Sequence, residues 1–209
     1  MNDASPPNAD PYRPETIPPA QERRSGDRYR TVWRIAKVTR EADVGLWRVR
    51  NMSNRGLMLA ADVPITVGEH LSIALSDTVV VSGKVVWAKE GRCGVAFDAE
   101  VDVAETLKQL AAEQRATGYR QPRLPVRKRA KLVVDNQASE IELINLSQNG
   151  AGFVHDGHLP VAKEVELILT DTIRRKAIIR WSRDTQGGLW LTQPLDRTDL
   201  ESIRRFYDE

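Results

Sequence analysis

The sequence predicts an all-β-dominated chain of two consecutive small units, each a barrel or sandwich closed by a helix. Three observations lead there. Between Thr31 and Phe97, six short runs rich in Val, Ile, Leu and Trp are separated by Gly, Asp, Asn and Ser, the pattern of short strands joined by turns. After Phe97 the apolar spacing changes from that of a strand to that of a helix. The pattern then starts again: NMSNRG at Asn51 to Gly56 returns as NLSQNG at Asn145 to Gly150, 94 residues later, and Trp87 returns as Trp181 at the same offset. A length of 209 residues suits one large or two small cores, and the repeat selects two.

Residues 1–21 hold six of the 11 prolines, at positions 6, 7, 11, 14, 18 and 19, among small and polar residues. Such a segment buries too little apolar surface to offset the entropy of ordering, which predicts a disordered tail. The first unit spans residues 22–115. Its strands are expected in TVWRIAKV from Thr31, GLWRVRNM from Gly45, GLMLAAD from Gly56, EHLSIAL from Glu69, VVVSGKVVWA from Val79 and RCGVAF from Arg92. Its closing helix is expected from Val103, Leu107, Leu110 and Ala111, behind Asp102 and Glu105 in capping-box positions, ending near Arg115. A linker, residues 116–119, leads to the second unit, residues 120–209. That unit also ends in a helical pattern, with Thr198 and Glu201 in capping-box positions and Leu200, Ile203 and Phe206 as its apolar face.

Composition narrows the function. With 41% hydrophobic and 29% charged residues the chain is globular, and 31 basic against 29 acidic residues leave a net charge of +2. Bulk electrostatic binding of polynucleotide is disfavoured by that balance, so any anion site must be local. Cys93 stands alone, which excludes a disulfide framework within the chain and suits a reducing compartment. No apolar run approaches the roughly 20 residues a membrane helix needs, and the start lacks a basic segment followed by an apolar one. The expected location is cytoplasmic. A non-enzymatic role is expected too, since there is no P-loop, no G-x-S-x-G elbow and no paired His at metal spacing. His155 and His158 in HDGH lack a nearby Cys or third His, so neither a metal nor another cofactor is expected.

Two elements could carry binding chemistry. The first is an arginine arm, QERRSGDRYR, with Arg23, Arg24, Arg28 and Arg30 within eight residues and Asp27 as the only acid among them. A guanidinium is always charged, offers a planar donor fork and stacks on flat rings, so it suits phosphate and guanine alike. A solvated charged run beside a disordered tail is the plainer reading of the same residues. The second is Asn51-Met52-Ser53-Asn54-Arg55-Gly56, a turn between strands in which Asn and Ser offer short hydrogen-bonding groups. Gly there permits a positive φ or the close approach of a ligand or second backbone. Trp33, Trp47, Trp87, Trp181 and Trp190 sit in β-like runs and read as core or barrel-face residues rather than stacking platforms.

The combination is more specific than its parts: Arg-x-x-x-Arg at Arg24 and Arg28, Asn-x-Ser-x-x-Gly 23 residues after Arg28, then VSGKVVWAKEGRCGVAF and a terminal helix. This resembles the PilZ family of cyclic di-GMP receptors. The resemblance covers nearly all of residues 22–115 and, less completely, residues 120–209. It implies two consecutive six-stranded antiparallel β-barrels, with the ligand lying between the arginine arm and the Asn/Ser/Gly turn. Carried over, Arg24 and Arg28 would bind guanine edges, guanine faces and phosphates, Asn51 and Ser53 would hydrogen-bond a guanine and nearby phosphate, and Gly56 would shape the turn. Arg23 could reach a second ligand stacked on the first.

The second unit departs from that pattern. Arg123 lies 22 residues before Asn145, which places the earlier motif arginine at Tyr119, whereas a literal Arg-x-x-x-Arg at Arg123 and Arg127 leaves only 18 residues to Asn145. Arg123, Arg127, Asn145, Ser147 and Gly150 therefore form a second site of degenerate motif, and the first unit is expected to be the principal one. The expected function is a receptor that binds cyclic di-GMP, orders its arm on binding, and signals by changing shape to a downstream protein partner. The alternatives are a PilZ-fold interaction adaptor that binds no nucleotide and a single-stranded nucleic-acid binder.

Overall fold

Successive side chains of a strand point to opposite faces, so the apolar alternation of each run decides which side turns inward. The structure is a computed structural model that describes residues 29–117, 121–157 and 159–207. The first unit has β1 (Tyr29–Thr39), β2 (Val44–Ser53), β3 (Gly56–Ala60), β4 (His70–Ala74), β5 (Val80–Lys89) and β6 (Arg92–Phe97). They close into an antiparallel barrel in the order β1-β2-β3-β6-β5-β4. Each strand falls on a run expected from the sequence. On β2 the inward positions are Trp47, Val49 and Met52, all buried, while Arg48 and Arg50 face outward. The step from Val49 to Met52 breaks strict alternation because the register with β3 shifts between Val49 and Asn51, a bulge that re-aims the motif strand.

Helix α1 (Val103–Thr117) follows. Asp102 caps it as expected, its carboxylate accepting the Glu105 N–H at 2.9 Å. Val103 and Leu110 enter the first core, which also holds Ala36, Val38, Leu59, Leu71, Ile73, Val85 and Cys93.

The second unit repeats the barrel with β7 (Lys128–Val134), β8 (Gln137–Ser147), β9 (Gly150–Val154), β10 (Glu164–Ile168), β11 (Arg174–Arg183) and β12 (Gln186–Leu191), ordered β7-β8-β9-β12-β11-β10. Its closure differs from the expected helix. Two single-turn 3-10 helices, Thr198–Glu201 and Ile203–Phe206, are separated by Ser202 in an extended conformation. The reason lies in Glu201. Its carboxylate accepts the Asp62 N–H of the first barrel at 2.5 Å and pairs with Arg197 at 3.3 Å, so it does not complete a capping box.

That segment joins the two units. The Glu201 carbonyl accepts the Trp47 indole N–H at 2.8 Å, Ile203 N–H reaches the Asp43 carboxylate at 3.2 Å, and Arg204 and Arg205 donate to the Ala42 and Asp62 carbonyls. Gly45 is required there, since any Cβ would collide with the Glu201 carbonyl. Leu46, next along β2, is buried in the core of the second barrel.

Candidate functional site

In both units the motif turn is held by the same two backbone bonds. Phe97 N–H donates to the Arg55 carbonyl at 3.0 Å and Val101 N–H to the Asn54 carbonyl at 2.8 Å. In the second unit Leu191 N–H donates to Asn149 and Leu195 N–H to Gln148, each at 2.9 Å. The motif serines turn inward on the turn itself: Ser53 Oγ donates to the Gly56 carbonyl at 3.1 Å and Ser147 Oγ to the Gly150 carbonyl at 3.3 Å. Gly56 lies outside the positive-φ region. It is needed because a Cβ would strike the Val95 carbonyl of the neighbouring strand, so close approach decides between the two roles expected of it.

Arg23, Arg24 and Arg28 lie outside the described residues. The described chain begins one residue after Arg28, where Tyr29 pairs with Met52 and Arg30 with Asn51. The second unit has the counterpart: Leu124 and Leu146 exchange backbone bonds at 2.7 and 2.9 Å. Arg123, just before that bridge, donates through Nη1 to Asn145 Oδ1 at 3.1 Å. The two candidate arginines of this unit thus have different surroundings. Arg123 meets the motif, whereas Arg127 is tied by its backbone to the Tyr207 hydroxyl, at 3.1 Å through its N–H and 2.8 Å through its carbonyl.

The second motif opens onto a groove of about 1310 Å³ between the barrels. Arg123, Ser147, Gly150, Arg180, Trp181 and Trp190 line one wall; Arg34, Lys37 and the Leu75–Thr78 turn line the other. Four cations therefore converge there, with Asp77 and Glu113 as the acids. Arg34 Nε donates to the Leu75 carbonyl at 2.7 Å, and hydrogen bonds from Thr78 and Ser76 hold the Glu113 carboxyl below its ordinary range.

The tryptophans divide by face. Trp47 is fully buried, whereas Trp87, Trp181 and Trp190 lie 41%, 47% and 45% exposed on the outer barrel surface. Trp181 lies over Gly188, and Trp87 over Gly94 in the first unit. Trp190, two residues along β12, has no aromatic counterpart in the first unit, where Ala96 stands 94 positions earlier. Sequence reasoning missed Lys37, Arg180 and the groove-facing exposure of Trp190; that Trp-for-Ala difference was the one signal available. His155 is a buried packing residue beside Phe153, with Nε2 3.0 Å from Ser182 Oγ, and His158 lies outside the described residues.

The PilZ domain family matches the chain twice, over residues 22–113 and 118–209. No curated protein matches it. Among solved structures, the Borreliella burgdorferi PlzA protein in complex with c-di-GMP is 12% identical, with 83% of this chain and 87% of that one covered and a TM-score of 0.37. The Bacillus subtilis inhibitor of motility MotI/DgrA is 11% identical over 85% and 96%, with a TM-score of 0.34. YcgR from Escherichia coli in complex with c-di-GMP is 12% identical over 75% and 74%, with a TM-score of 0.27. Among the described residues no helix is long and apolar enough to cross a membrane.

Proposed function

Because the chain belongs to the PilZ domain family, two copies of whose domain fill most of it, we propose that it is a receptor for cyclic di-GMP. One observation carries this reading. Tyr29 pairs with Met52 and Leu124 with Leu146, so in each unit the residue one step before the pairing is an arginine, Arg28 or Arg123, at the strand that bears the Asn and Ser of the motif.

The chemistry follows from the side chains. A guanine edge presents O6 and N7 to an arginine fork, and a good bidentate pair is worth roughly 1–3 kcal/mol of discrimination. In the first unit Arg24 and Arg28 grip guanine and phosphate, Asn51 and Ser53 complete the polar contacts, and Arg23 serves a second, stacked ligand. Ordering the arm costs a few kcal/mol of the gross binding energy, roughly 2–5 for coupled ordering in general. That cost is the source of the signal, since the free and bound arms present different surfaces to a downstream partner.

The second unit lacks the earlier arginine, having Tyr119 there. Its groove offers other cations and ring faces: Arg123 at Asn145, Arg180 beside Trp181 and Trp190, and Lys37 and Arg34 from the opposite barrel. A nucleotide held there touches both barrels, so its occupancy stiffens their arrangement.

Calorimetric titration with cyclic di-GMP tests the assignment. Wild-type protein should bind, Arg28→Ala should remove binding at the first unit with the fold intact, and Arg123→Ala should weaken the second. Affinity and stoichiometry unchanged in both variants would refute the site, and no heat from the wild type would refute the receptor.

A further inference from the structure

On the outer face of the first barrel, cross-strand pairing aligns Arg48 of β2 with Ala60 of β3, and Ala60 with Arg92 of β6. Two guanidinium-bearing strands thus flank one small residue, roughly 10 Å apart at the strand spacing of about 4.8 Å. Arg50 lies on the same face of β2, and Arg197 of the second unit approaches from across the junction. Among the described residues, Glu201 is the one carboxylate acting on Arg48, against three guanidiniums. It is 1% exposed, and its two oxygens are already engaged by the Asp62 N–H and by Arg197.

Arg48 is the centre of this cluster. Its Nε is buried and has no hydrogen-bond partner among the described residues. A buried donor left unpaired is costly, more so when it is charged, so such a donor in a native protein calls for a partner. Burial, then Arg197 and Arg50, push its guanidinium below the ordinary arginine value. Among the described residues the field at Arg48 is thus net positive, and an anion beside its unpaired Nε would offset it.

We propose that Arg48 and Arg92, together with Arg197 of the second unit, form a binding site for a compact phosphate-class anion that bridges the two barrels. Guanidinium forks match the tetrahedral oxygens of phosphate and hold them by charge-assisted bonds. The site is separate from both motif sites. Arg48 is three residues from Asn51 and five from Ser53 along β2, roughly 10 and 16 Å at about 3.3 Å per residue, and none of the three arginines lines the groove at the second motif. An anion here touches Arg197 as well as Arg48, so it strengthens the junction that Glu201 and Trp47 already hold.

The test uses the full chain, inorganic pyrophosphate as the probe, and chloride at matched ionic strength as the control. Pyrophosphate should raise the thermal midpoint of the wild type above the chloride control. Calorimetric affinity for it should fall about tenfold or more in Arg92→Gln and in Arg48→Gln, as expected for losing a charge-assisted contact. Arg92 is exposed, so its variant keeps the test usable if Arg48→Gln does not fold. Arg28→Ala should respond to pyrophosphate like the wild type, and cyclic di-GMP should bind Arg92→Gln with wild-type affinity. Equal effects of pyrophosphate and chloride on the wild type would overturn the site. So would a pyrophosphate response kept in Arg92→Gln and lost in Arg28→Ala, which would assign the anion to the motif face instead. Failure of cyclic di-GMP to bind any form would count against the receptor reading alone.

Discussion

Cys93 shows how much one residue's chemistry depends on what surrounds it. In the sequence it is a lone thiol; in the barrel it is fully buried between Leu59 and Ala88 on the neighbouring strands. Burial first, and the nearby Glu69 carboxylate second, push its pKa from 9.0 up to about 11. Because the folded value is raised, the contribution to stability is complete below the unfolded thiol's pKa and is lost as pH rises through about 11. Denaturant midpoints of wild type and Cys93→Ala should therefore converge between pH 9 and pH 11, the window of that shift; parallel pH profiles would contradict it. Trp190 is the second case. If it stacks a base in the groove, Trp190→Ala should weaken binding at the second unit by roughly 1–3 kcal/mol, the range for base–aromatic stacking. Calorimetry of that variant should leave the first unit's affinity untouched.

Among elements, the strands were legible because their signal is local: period-two alternation and turn residues at each end. Helix α1 was legible for a similar reason, its cap and its apolar face being written within a few residues. Asp102→Ala should cost about 1 kcal/mol, the usual value of an N-cap, measured by urea unfolding. The end of the chain was not legible. Thr198, Glu201 and the apolar residues after them carry a helical pattern, yet Glu201 is drawn to the Asp62 N–H, 139 positions away, and Ser202 is extended. A partner that distant leaves no mark in local sequence, so the competition between cap and tertiary contact could be decided only in three dimensions. The same holds for the arginine register of the second unit, where the Leu124–Leu146 bridge brings Arg123 to Asn145 and the backbone bonds to Tyr207 hold Arg127 elsewhere.

For the whole molecule, the duplicated sequence does not mean two independent bodies. Leu46 of the first barrel is buried in the second core, and the Trp47 indole donates to the Glu201 carbonyl in a buried bond. Removing one partner of a buried hydrogen bond costs about 1–3 kcal/mol. Trp47→Phe combined with Glu201→Ala should therefore loosen the junction enough for differential scanning calorimetry to resolve two unfolding transitions, against a single one expected for the wild type. A single unchanged transition in the double variant would mean that apolar packing around Leu46 is sufficient for the coupling. The groove, the arginine cluster and the junction all arise where one barrel faces the other.

Sequence alone determined the strand segments, the 94-residue repeat, the motif turns and the family, because alternation, turn chemistry and spacing act between residues close together in the chain. The tertiary structure decided which arginine meets the second motif, which tryptophans face outward, what Glu201 binds and where the cations of the two barrels converge. These depend on surfaces brought together over more than a hundred residues, and burial and charge excess are properties of that juxtaposition rather than of any segment.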